Sequence, residues 1–473
     1  MSNDISLGLS FDDVLLVPRY SKISSRKSIN LTTNFSRNLK LNIPIVSANM
    51  DTVTESTMAI ALAREGGIGI IHRFISTDIQ VAEVQKVKRA ENLVISDPVT
   101  INKEASLKDV LSLMLKHGIN GILVVDNKGL LEGIITSRDV RFRSDLDSLV
   151  EKIMTPRSKL ITADVSIKPE EAIKFFSKYK IEKLPLVDKK GKLQGLITAS
   201  DFLKIIKHQL SAKDKKGRLL VGAAIGVKDG LERSEKLIRV GVDALVIDIA
   251  HGHHKTCINL VKALKKKHKN VDVVAGNIAT ADGAKDLIAA GADAIKIGIG
   301  PGAVCSTRIV AGAGIPQVTA IMETSNFAKK YNVPVIADGG IRNSGDLAKA
   351  MAAGASSAMI GSLFAGTKES PGEYFIENGG AVKVYRGLAS RDASMDRNAL
   401  EKNIERQERA PEGVTTRVNY KGEVKKIIQN LIDGLQSGMS YSGAENIKEF
   451  WQKAKFIKIT EAGIKESQPH GLN

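Results

Sequence analysis

Eight short apolar runs constrain the fold of this 473-residue chain more than any other feature of the sequence. Runs of this kind, bounded by Gly, Asp or Asn and alternating with helical segments, are typical of parallel βα units whose strands are buried on both faces. Because eight parallel strands close a barrel, the sequence predicts an α/β protein with a (β/α)8 TIM barrel. The predicted strands are residues 43–50, 67–72, 220–225, 244–249, 271–275, 294–297, 333–337 and 357–360.

An internal repeat lies between the second and third of these runs. Residues 124–129 (VVDNKG) recur as residues 186–191 (LVDKKG), and residues 133–139 (GIITSRD) recur as residues 195–201 (GLITASD), with an offset of 62 residues throughout. Each copy is predicted to hold a helix, two strands joined by a glycine turn, and a helix opened by Asp. We therefore predict a barrel of residues 1–91 and 212–473, and an inserted unit of residues 92–211 with repeats at about 92–148 and 149–211.

The composition is that of a globular enzyme, with 43% hydrophobic, 26% charged and 4% aromatic residues. The formal charge of +17 is spread along amphipathic segments such as residues 261–267, without interleaved aromatic side chains that would stack on bases. We therefore expect no nucleic-acid partner. Two cysteines cannot organise a disulfide framework and favour a reducing cytoplasm. No export signal is expected, because the N-terminal residues lack a basic segment followed by an apolar one. No membrane segment is expected either, since no stretch approaches about 18 consecutive apolar residues.

The predicted chemistry begins in the loop after the sixth strand, because barrel active sites form at the carboxyl ends of the strands. From Gly298 to Arg308 this loop reads GIGPGAVCSTR, so glycines and a proline let the backbone approach a ligand before the chain reaches Cys305. With the hydroxyl of Thr307 nearby, the Cys305 thiol is predicted to be a nucleophile. Cys257 lies in an apolar helical run and is predicted to be a core residue.

Paired glycine loops after the seventh and eighth strands predict a phosphate site. The loops read ADGGIR around Gly340 and IGS around Gly361, and backbone amides in such loops face an anion. Asp338, beside these amides, is placed to hold a ribose diol. Histidines at positions 251, 253 and 254 suggest a metal site, but no carboxylate stands at a matching spacing, so metal catalysis is not expected.

These loops and other motifs resemble the IMP dehydrogenase and GMP reductase superfamily over nearly the whole chain. The motifs are residues 10–18 (SFDDVLLVP), 48–54 (ANMDTVT), 298–307, 337–340 (ADGG), 385–387 (YRG) and 411–414 (PEGV). The resemblance implies that Cys305 forms a covalent adduct at C2 of the purine ring of IMP or GMP, and that hydride passes between C2 and the nicotinamide of NAD or NADP. A potassium ion and a cytoplasmic homotetramer are implied by the same resemblance.

The resemblance also implies roles for individual residues. The catalytic candidates are Cys305, Thr307, Arg397 and Glu412. Nucleotide contacts are implied for Ala48, Met50, Ala303, Asp338, Gly339, Gly340, Gly361, Ser362, Tyr385, Gly387, Leu388 and Glu412. The implied cofactor contacts are Asp248, Asn277, Gly298 and Gly300. Potassium would be coordinated by backbone carbonyls of Gly300, Gly302 and Cys305, with Glu466, Ser467 and Gln468 contributed by a neighbouring subunit.

The repeat pair resembles two CBS modules that form a Bateman domain, a unit that often binds adenine or guanine nucleotides. The resemblance places Asp139 and Asp201 where a ribose is commonly held, and the alternative is that both residues only cap helices. Purine nucleotides bound there are expected to shift activity or assembly.

The direction of the reaction stays open between two members of the family. An IMP dehydrogenase, which makes XMP, must activate a water, and most relatives do so with an adjacent Arg and Tyr on a flap. A GMP reductase releases ammonia and needs no such pair. Here Arg397 matches the arginine, but Asn398 stands where tyrosine is expected, and Ala303 and Leu388 also depart from the usual residues. The motifs at 317–321, 359–362 and 385–387 are commoner in dehydrogenases, so IMP dehydrogenase is preferred and GMP reductase is the alternative.

Two hypotheses from other classes share part of this pattern. A catalytically idle nucleotide sensor would work through the repeat pair alone and would tolerate Cys305→Ala. An FMN-dependent barrel oxidase would share the phosphate loops, but it would not require Cys305 and would be coloured when purified.

Overall fold

The computed structural model describes residues 5–91, 94–95, 97–167, 169–200, 208–400 and 410–469, with the backbone alone at 169–170 and 397–400. The chain divides into two compact units. One consists of Met1–Ala90 with Leu210–Asn473, and the other of Glu91–Gln209. Among the described residues, no helix combines the length and the apolar character needed to cross a membrane.

A closed barrel of eight parallel strands forms the centre of the first unit, so the predicted (β/α)8 barrel is confirmed. The strands are Ile45–Ser47 (β1), Ile68–Ile71 (β2), Val221–Ile225 (β3), Ala244–Ile247 (β4), Asp272–Ile278 (β5), Ala294–Ile297 (β6), Val335–Asp338 (β7) and Ser357–Ile360 (β8). They pair in chain order, and β8 closes the barrel against β1 with Ile360 opposite Ser47. β1 is shorter than predicted because the chain turns after Ser47, where the amide of Met50 donates to the carbonyl of Ala48.

Side chains of the barrel strands alternate between the barrel interior and the surrounding helices. The interior is an apolar cluster to which β6 contributes Ala294 and β7 contributes Ile336. Ile295 and Ile297 belong instead to the larger core that includes the helices. This alternation turns Lys296 and Asp338, each two residues beyond an interior position, towards the inside of the barrel at its carboxyl end.

Helices follow the strands and cover the barrel. The principal helices after β1 to β8 are, in order, Ser56–Arg64, Thr77–Arg89, Gly230–Arg239, Lys255–Lys267, Ala281–Ala289, Gln317–Ala328, Ser344–Ala352 and Val424–Tyr441. In Lys255–Lys267 the apolar positions Cys257, Leu260, Val261 and Leu264 are buried, and most of the lysines are exposed. The basic face of this helix is therefore a solvated surface.

Smaller elements surround the barrel. Between β8 and its helix lie an antiparallel sheet of Phe375–Glu377, Gly380–Arg386 and Thr415–Asn419, and the helix Arg391–Leu400. The remaining elements of this unit are Val14–Leu16, Thr33–Asn34, Lys40–Leu41, Phe456–Lys458, Arg26–Ser28, Thr307–Val310, Lys329–Tyr331, Ile447–Lys453 and Glu461–Glu466.

The second unit repeats one pattern of elements. Strands Gly121–Val125 and Leu131–Thr136 form a hairpin, and Lys183–Val187 and Leu193–Thr198 form another, 62 residues later. Each hairpin follows a short parallel strand and a helix: Thr100–Ile101 with Leu107–His117, and Ala163–Asp164 with Pro169–Tyr179. The two turns match as well, since Asp126 and Asp188 each accept two main-chain amides within the turn. The described residues of this unit also form the short elements Ser137–Val140, Val150–Lys152, Thr155–Pro156 and Arg157–Lys159.

Candidate active site

The thiol of Cys305 begins a short hydrogen-bonded relay at the mouth of the barrel. Its Sγ donates to Thr307 Oγ1 at 3.2 Å, and the hydroxyl of Thr307 donates to Glu412 Oε2 at 2.8 Å. Cys305 is exposed, so a ligand can reach the sulfur. A thiol, a hydroxyl and a carboxylate in this order can carry a proton from sulfur to the carboxylate or back again.

Main-chain hydrogen bonds hold Glu412 against the loop from Gly298 to Arg308, which we call the cysteine loop. The amide of Ser306 donates to the carbonyl of Glu412 at 3.0 Å, and the amide of Val414 donates to the carbonyl of Val304 at 3.0 Å. Close packing against the cysteine loop also requires a glycine at position 387. A Cβ there would lie 2.8 Å from the carbonyl oxygen of Val304. Gly387, with the half-buried Leu388 after it, therefore borders the cysteine loop.

A cavity of about 190 Å³ brings the predicted phosphate loops together. We call it the phosphate cavity. It is lined by Ser10, Phe11, Asp12, Pro301, Ala303, Arg308, Gln317, Gly340, Ile341, Arg342 and Ser362. Gly339 and Gly340 have φ angles of 92° and 82°, a left-handed backbone that residues with a side chain rarely adopt. Loops after β6, β7 and β8 thus bound one space, with the guanidinium groups of Arg308 and Arg342 beside it.

Four other predicted nucleotide residues lie close together beside β8. A Cβ on Gly361 would lie 3.2 Å from both Met50 Sδ and Tyr385 Oη, and 3.7 Å from the Cβ of Ala48. Tyr385 is buried, and burial, reinforced by the nearby Asp338 carboxylate, raises the pKa of its phenol above the usual range. The phenol therefore stays protonated and can donate a hydrogen bond to a ligand.

Asp248 stands at the carboxyl end of β4 in contact with two neighbouring loops. Its Oδ2 accepts from Arg73 Nε at 2.8 Å, and its Oδ1 accepts from Asn49 Nδ2 at 3.0 Å. Arg73 and Asn49 follow β2 and β1, so three strand ends orient this carboxylate. Its side chain keeps 13% of its surface exposed.

Asn277, Gly298 and Asp338 meet at the carboxyl ends of β5, β6 and β7. Asn277 Nδ2 donates to the carbonyl of Gly298 at 2.8 Å and to Asp338 Oδ2 at 2.9 Å. Gly298 has a φ of 147°, and a Cβ there would lie 2.0 Å from the carbonyl oxygen of Asp338. The predicted cofactor residues Asn277 and Gly298 therefore contact the predicted ribose residue directly.

The helix Arg391–Leu400 is joined to the barrel by an ion pair. Arg386 Nη2 lies 2.7 Å from Asp396 Oδ2, and Arg386 Nε donates to Asp51 Oδ2 at 2.9 Å. This helix contains Arg397 and Asn398, whose side chains lie outside the described residues.

In the second unit, Asp139 accepts from both the amide and the hydroxyl of Thr136 at 2.7 Å, so it caps the helix Ser137–Val140. Its counterpart in the second repeat, Asp201, lies outside the described residues.

The predicted potassium ligands lie in two places. Gly300 and Gly302 belong to the cysteine loop, where the carbonyl of Gly302 already accepts the Cys305 amide at 3.0 Å. Glu466, Ser467 and Gln468 are exposed at the end of the helix Glu461–Glu466. Backbone carbonyls are ligands suited to a weakly hydrated cation.

Two of the three clustered histidines, and the second cysteine, have structural contacts. His253 Nε2 lies 2.8 Å from Asp286 Oδ2, and His254 caps the helix Lys255–Lys267. In the part of the chain that the structure describes, no three His, Cys, Asp or Glu side chains are grouped as metal ligands. Cys257 is a core residue, as the sequence predicted, and burial raises the pKa of its thiol to about 11.

Several site contacts were not predicted from the sequence. Arg73, which lies in none of the motifs, and Asn49, which lies in the motif of residues 48–54 but was given no role, orient Asp248. Lys296 contacts both Asn277 and Asp338. A signal for Lys296 exists in the sequence: it is a charged residue inside an apolar strand, two positions after an interior residue. The partners of Arg73 depend on which strands become neighbours, so the local sequence holds no signal for them.

Comparison with known proteins identifies the family of this chain. A family model described as "IMP dehydrogenase / GMP reductase domain" matches residues 8–470. An inosine-5'-monophosphate dehydrogenase from Aquifex aeolicus is 51% identical over 473 residues, covering 99% of this chain and 96% of that protein. One from Nitrosopumilus maritimus is 49% identical, covering 98% of each.

Solved structures also match over the full length. The structure of a GMP reductase from Trypanosoma brucei in complex with guanosine 5'-monophosphate has a TM-score of 0.93 at 44% identity, covering 100% of this chain and 99% of that one. The family model covers nearly the whole chain, and relatives share about half of its residues. The chain therefore belongs to the IMP dehydrogenase and GMP reductase family and is a nicotinamide-dependent oxidoreductase.

Proposed function

We propose that this protein is an IMP dehydrogenase, which converts IMP, NAD and water to XMP and NADH. The observation that carries the proposal is the relay of Cys305, Thr307 and Glu412. The loop that holds this thiol also lines the phosphate cavity, through Pro301 and Ala303. Relatives named inosine-5'-monophosphate dehydrogenase at 47–51% identity support this choice of reaction.

Different residues bind the nucleotide and carry out the reaction at C2. The phosphate cavity and Asp338 hold the nucleotide, while the relay removes the thiol proton so that Cys305 can add to C2. The adduct makes C2 tetrahedral, and C2 then gives up hydride and becomes a thioimidate. A water next adds to C2, activated by the flap that carries Arg397, and its proton passes to solvent. Sulfur then departs as the relay returns a proton to it.

The residues at the ends of β4, β5 and β6 fit a nicotinamide cofactor. Asp248 is oriented but still partly exposed, and Asn277 and Gly298 contact the ribose residue Asp338. When bound, the nicotinamide accepts the hydride from C2. Potassium would be held by carbonyls of Gly300, Gly302 and Cys305, with Glu466 to Gln468 of a neighbouring subunit in a homotetramer, and would stabilise the cysteine loop.

GMP reductase is the second candidate, in which GMP and NADPH yield IMP, ammonia and NADP. The observation that favours it is Asn398 in place of a flap tyrosine, together with the likeness to the Trypanosoma brucei GMP reductase. In this direction the same relay would give a proton to the departing ammonia.

A paired assay separates the two reactions. With IMP, NAD and potassium we expect absorbance from NADH at 340 nm, and with GMP and NADPH we expect no loss of that absorbance. We also expect turnover to fall when sodium replaces potassium, because the cysteine loop loses its ligand. Oxidation of NADPH by GMP, with no signal from IMP, would transfer the assignment to the reductase.

The second unit is proposed to be a pair of CBS modules that binds purine nucleotides and regulates the barrel. The support is the repeated fold of the two hairpins and their turns, at an offset of 62 residues. The barrel ends that flank this unit are held near each other, since Lys88 Nζ lies 3.1 Å from Asp214 Oδ2.

Replacing residues 92–208 by a short glycine-serine linker tests this assignment. We expect the variant to keep wild-type turnover of IMP and to lose its response to ATP and GTP, because the active-site residues belong to the other unit. Measurement of turnover against nucleotide concentration gives both results. A response of unchanged size would contradict the regulatory role, and loss of all turnover would contradict the modular organisation.

A further inference from the structure

Lys296 is a buried cation inside the barrel. It is 3% exposed and lies on the inner face of β6, where the neighbouring interior residues Ala294 and Ile336 are apolar. Burial of an ammonium group is unfavourable unless charged and polar partners surround it. The Nζ atom donates to Asp338 Oδ2 at 2.6 Å and to Asn277 Oδ1.

These contacts occupy one oxygen of the Asp338 carboxylate. Oδ2 accepts from Lys296 and from Asn277 Nδ2, whereas none of the described residues donates a hydrogen bond to Oδ1. The main chain is held too, since Gln317 Nε2 donates to the carbonyl of Asp338 at 3.1 Å. The side chain of Asp338 is 22% exposed, so its free oxygen is within reach of a ligand at the barrel mouth.

We propose that Lys296 is a positioning residue, which fixes the Asp338 carboxylate so that Oδ1 accepts hydrogen bonds from the ribose hydroxyls of the nucleotide. A carboxylate whose Oδ2 is held by two donors is restricted in its rotation, so Oδ1 keeps one direction. Without the ammonium group, Asp338 and Asn277 lose their common partner and the carboxylate can turn away from the ribose. The inference rests on the proposed nucleotide site, but it holds for either direction of the reaction.

The test compares nucleotides with and without the ribose 2'-hydroxyl. For wild-type protein we expect kcat/KM for IMP to exceed that for 2'-deoxy-IMP by about 10- to 100-fold, the range for a hydrogen bond to a charged group. In Lys296→Met this ratio should fall below about threefold, because the carboxylate is no longer oriented. Calorimetry gives the Kd values of IMP and GMP and of their 2'-deoxy forms. The preference for each nucleotide over its 2'-deoxy form, expressed as a ratio of Kd values, should fall in parallel.

Lys88→Met is the matched control. Lys88 is also 3% exposed and is paired with two carboxylates, Asp214 and Asp243, but it lies at the amino end of β3, where it donates to the carbonyl of Leu219. The Lys88→Met protein should lose stability as Lys296→Met does. Its ratio of kcat/KM for IMP to kcat/KM for 2'-deoxy-IMP should stay at the wild-type value. Lys296→Gln, which retains an N–H donor, provides a second variant if the methionine variant does not fold, and its ratio should be intermediate.

Two results would overturn the inference. One is a Lys296→Met or Lys296→Gln protein with reduced turnover and an unchanged ratio, which would make the role purely structural. The other is a wild-type protein that does not distinguish IMP from 2'-deoxy-IMP, which would remove Asp338 from the ribose. Absence of IMP oxidation alone would count against the proposed reaction, and the ratio of Kd values would still decide the role of Lys296.

Discussion

Cys305→Ala is expected to reduce turnover of the nucleotide substrate by about 10⁴-fold or more, the scale on which removal of a nucleophile acts. The affinity for the nucleotide should stay within a few-fold of wild type, because the phosphate cavity and Asp338 do not involve the sulfur. Steady-state kinetics gives the first quantity and calorimetry with IMP gives the second. An idle sensor or a flavin-dependent oxidase would be indifferent to this substitution.

Cys257→Ala is the control for this experiment. Cys257 is fully buried in the helix Lys255–Lys267, so its replacement should cost some stability and leave kcat unchanged. Because burial raises the pKa of the Cys257 thiol to about 11, this group is protonated at neutral pH and should not react with iodoacetamide. Inactivation that follows alkylation of Cys257 instead of Cys305 would contradict the assignment of the nucleophile.

Glu412→Gln is expected to reduce kcat by about 10² to 10⁴-fold, the range for loss of a general acid–base group. A glutamine can still contact the hydroxyl of Thr307, which lies 2.8 Å from the carboxylate, but it cannot take a proton from it. Thr307→Val breaks the same relay at its middle. Rapid mixing measures NADH formation in the first turnover, and a steady-state assay measures overall turnover. Comparison of the two rates would show which step slows.

Comparison of the single variants with the double variant tests whether Thr307 and Glu412 act in one relay. If Thr307 and Glu412 act through one path, the double variant should be no slower than the slower single variant, whereas independent roles would give multiplied losses. Glu445→Gln is a control for a glutamate outside the site: its exposed ion pair with Lys22 should contribute less than about 1 kcal/mol to stability and nothing to turnover.

Much of the candidate site was predictable because its residues follow buried strands. Gly298, Asp338 and Gly361 come directly after apolar runs, and Cys305 lies in the loop that Gly298 begins. The carboxyl ends of parallel strands meet at one end of a barrel. Glu412 was identified through a family motif alone, since it lies in no strand and its hydrogen bond to Thr307 spans 105 residues. Its position comes from main-chain pairing between residues 412–414 and the cysteine loop, which local sequence patterns do not encode.

The sequence by itself determined the barrel, the repeat and the loops that carry the chemistry, because burial on both faces of a strand, helical periodicity and glycine turns are local properties of the chain. Only the tertiary structure decided which polar groups touch. The contacts of Lys296 with Asp338 and of Arg73 with Asp248 join residues 42 and 175 positions apart. Such pairs depend on the register and closure of the barrel, and therefore exist only once the strands have found their neighbours.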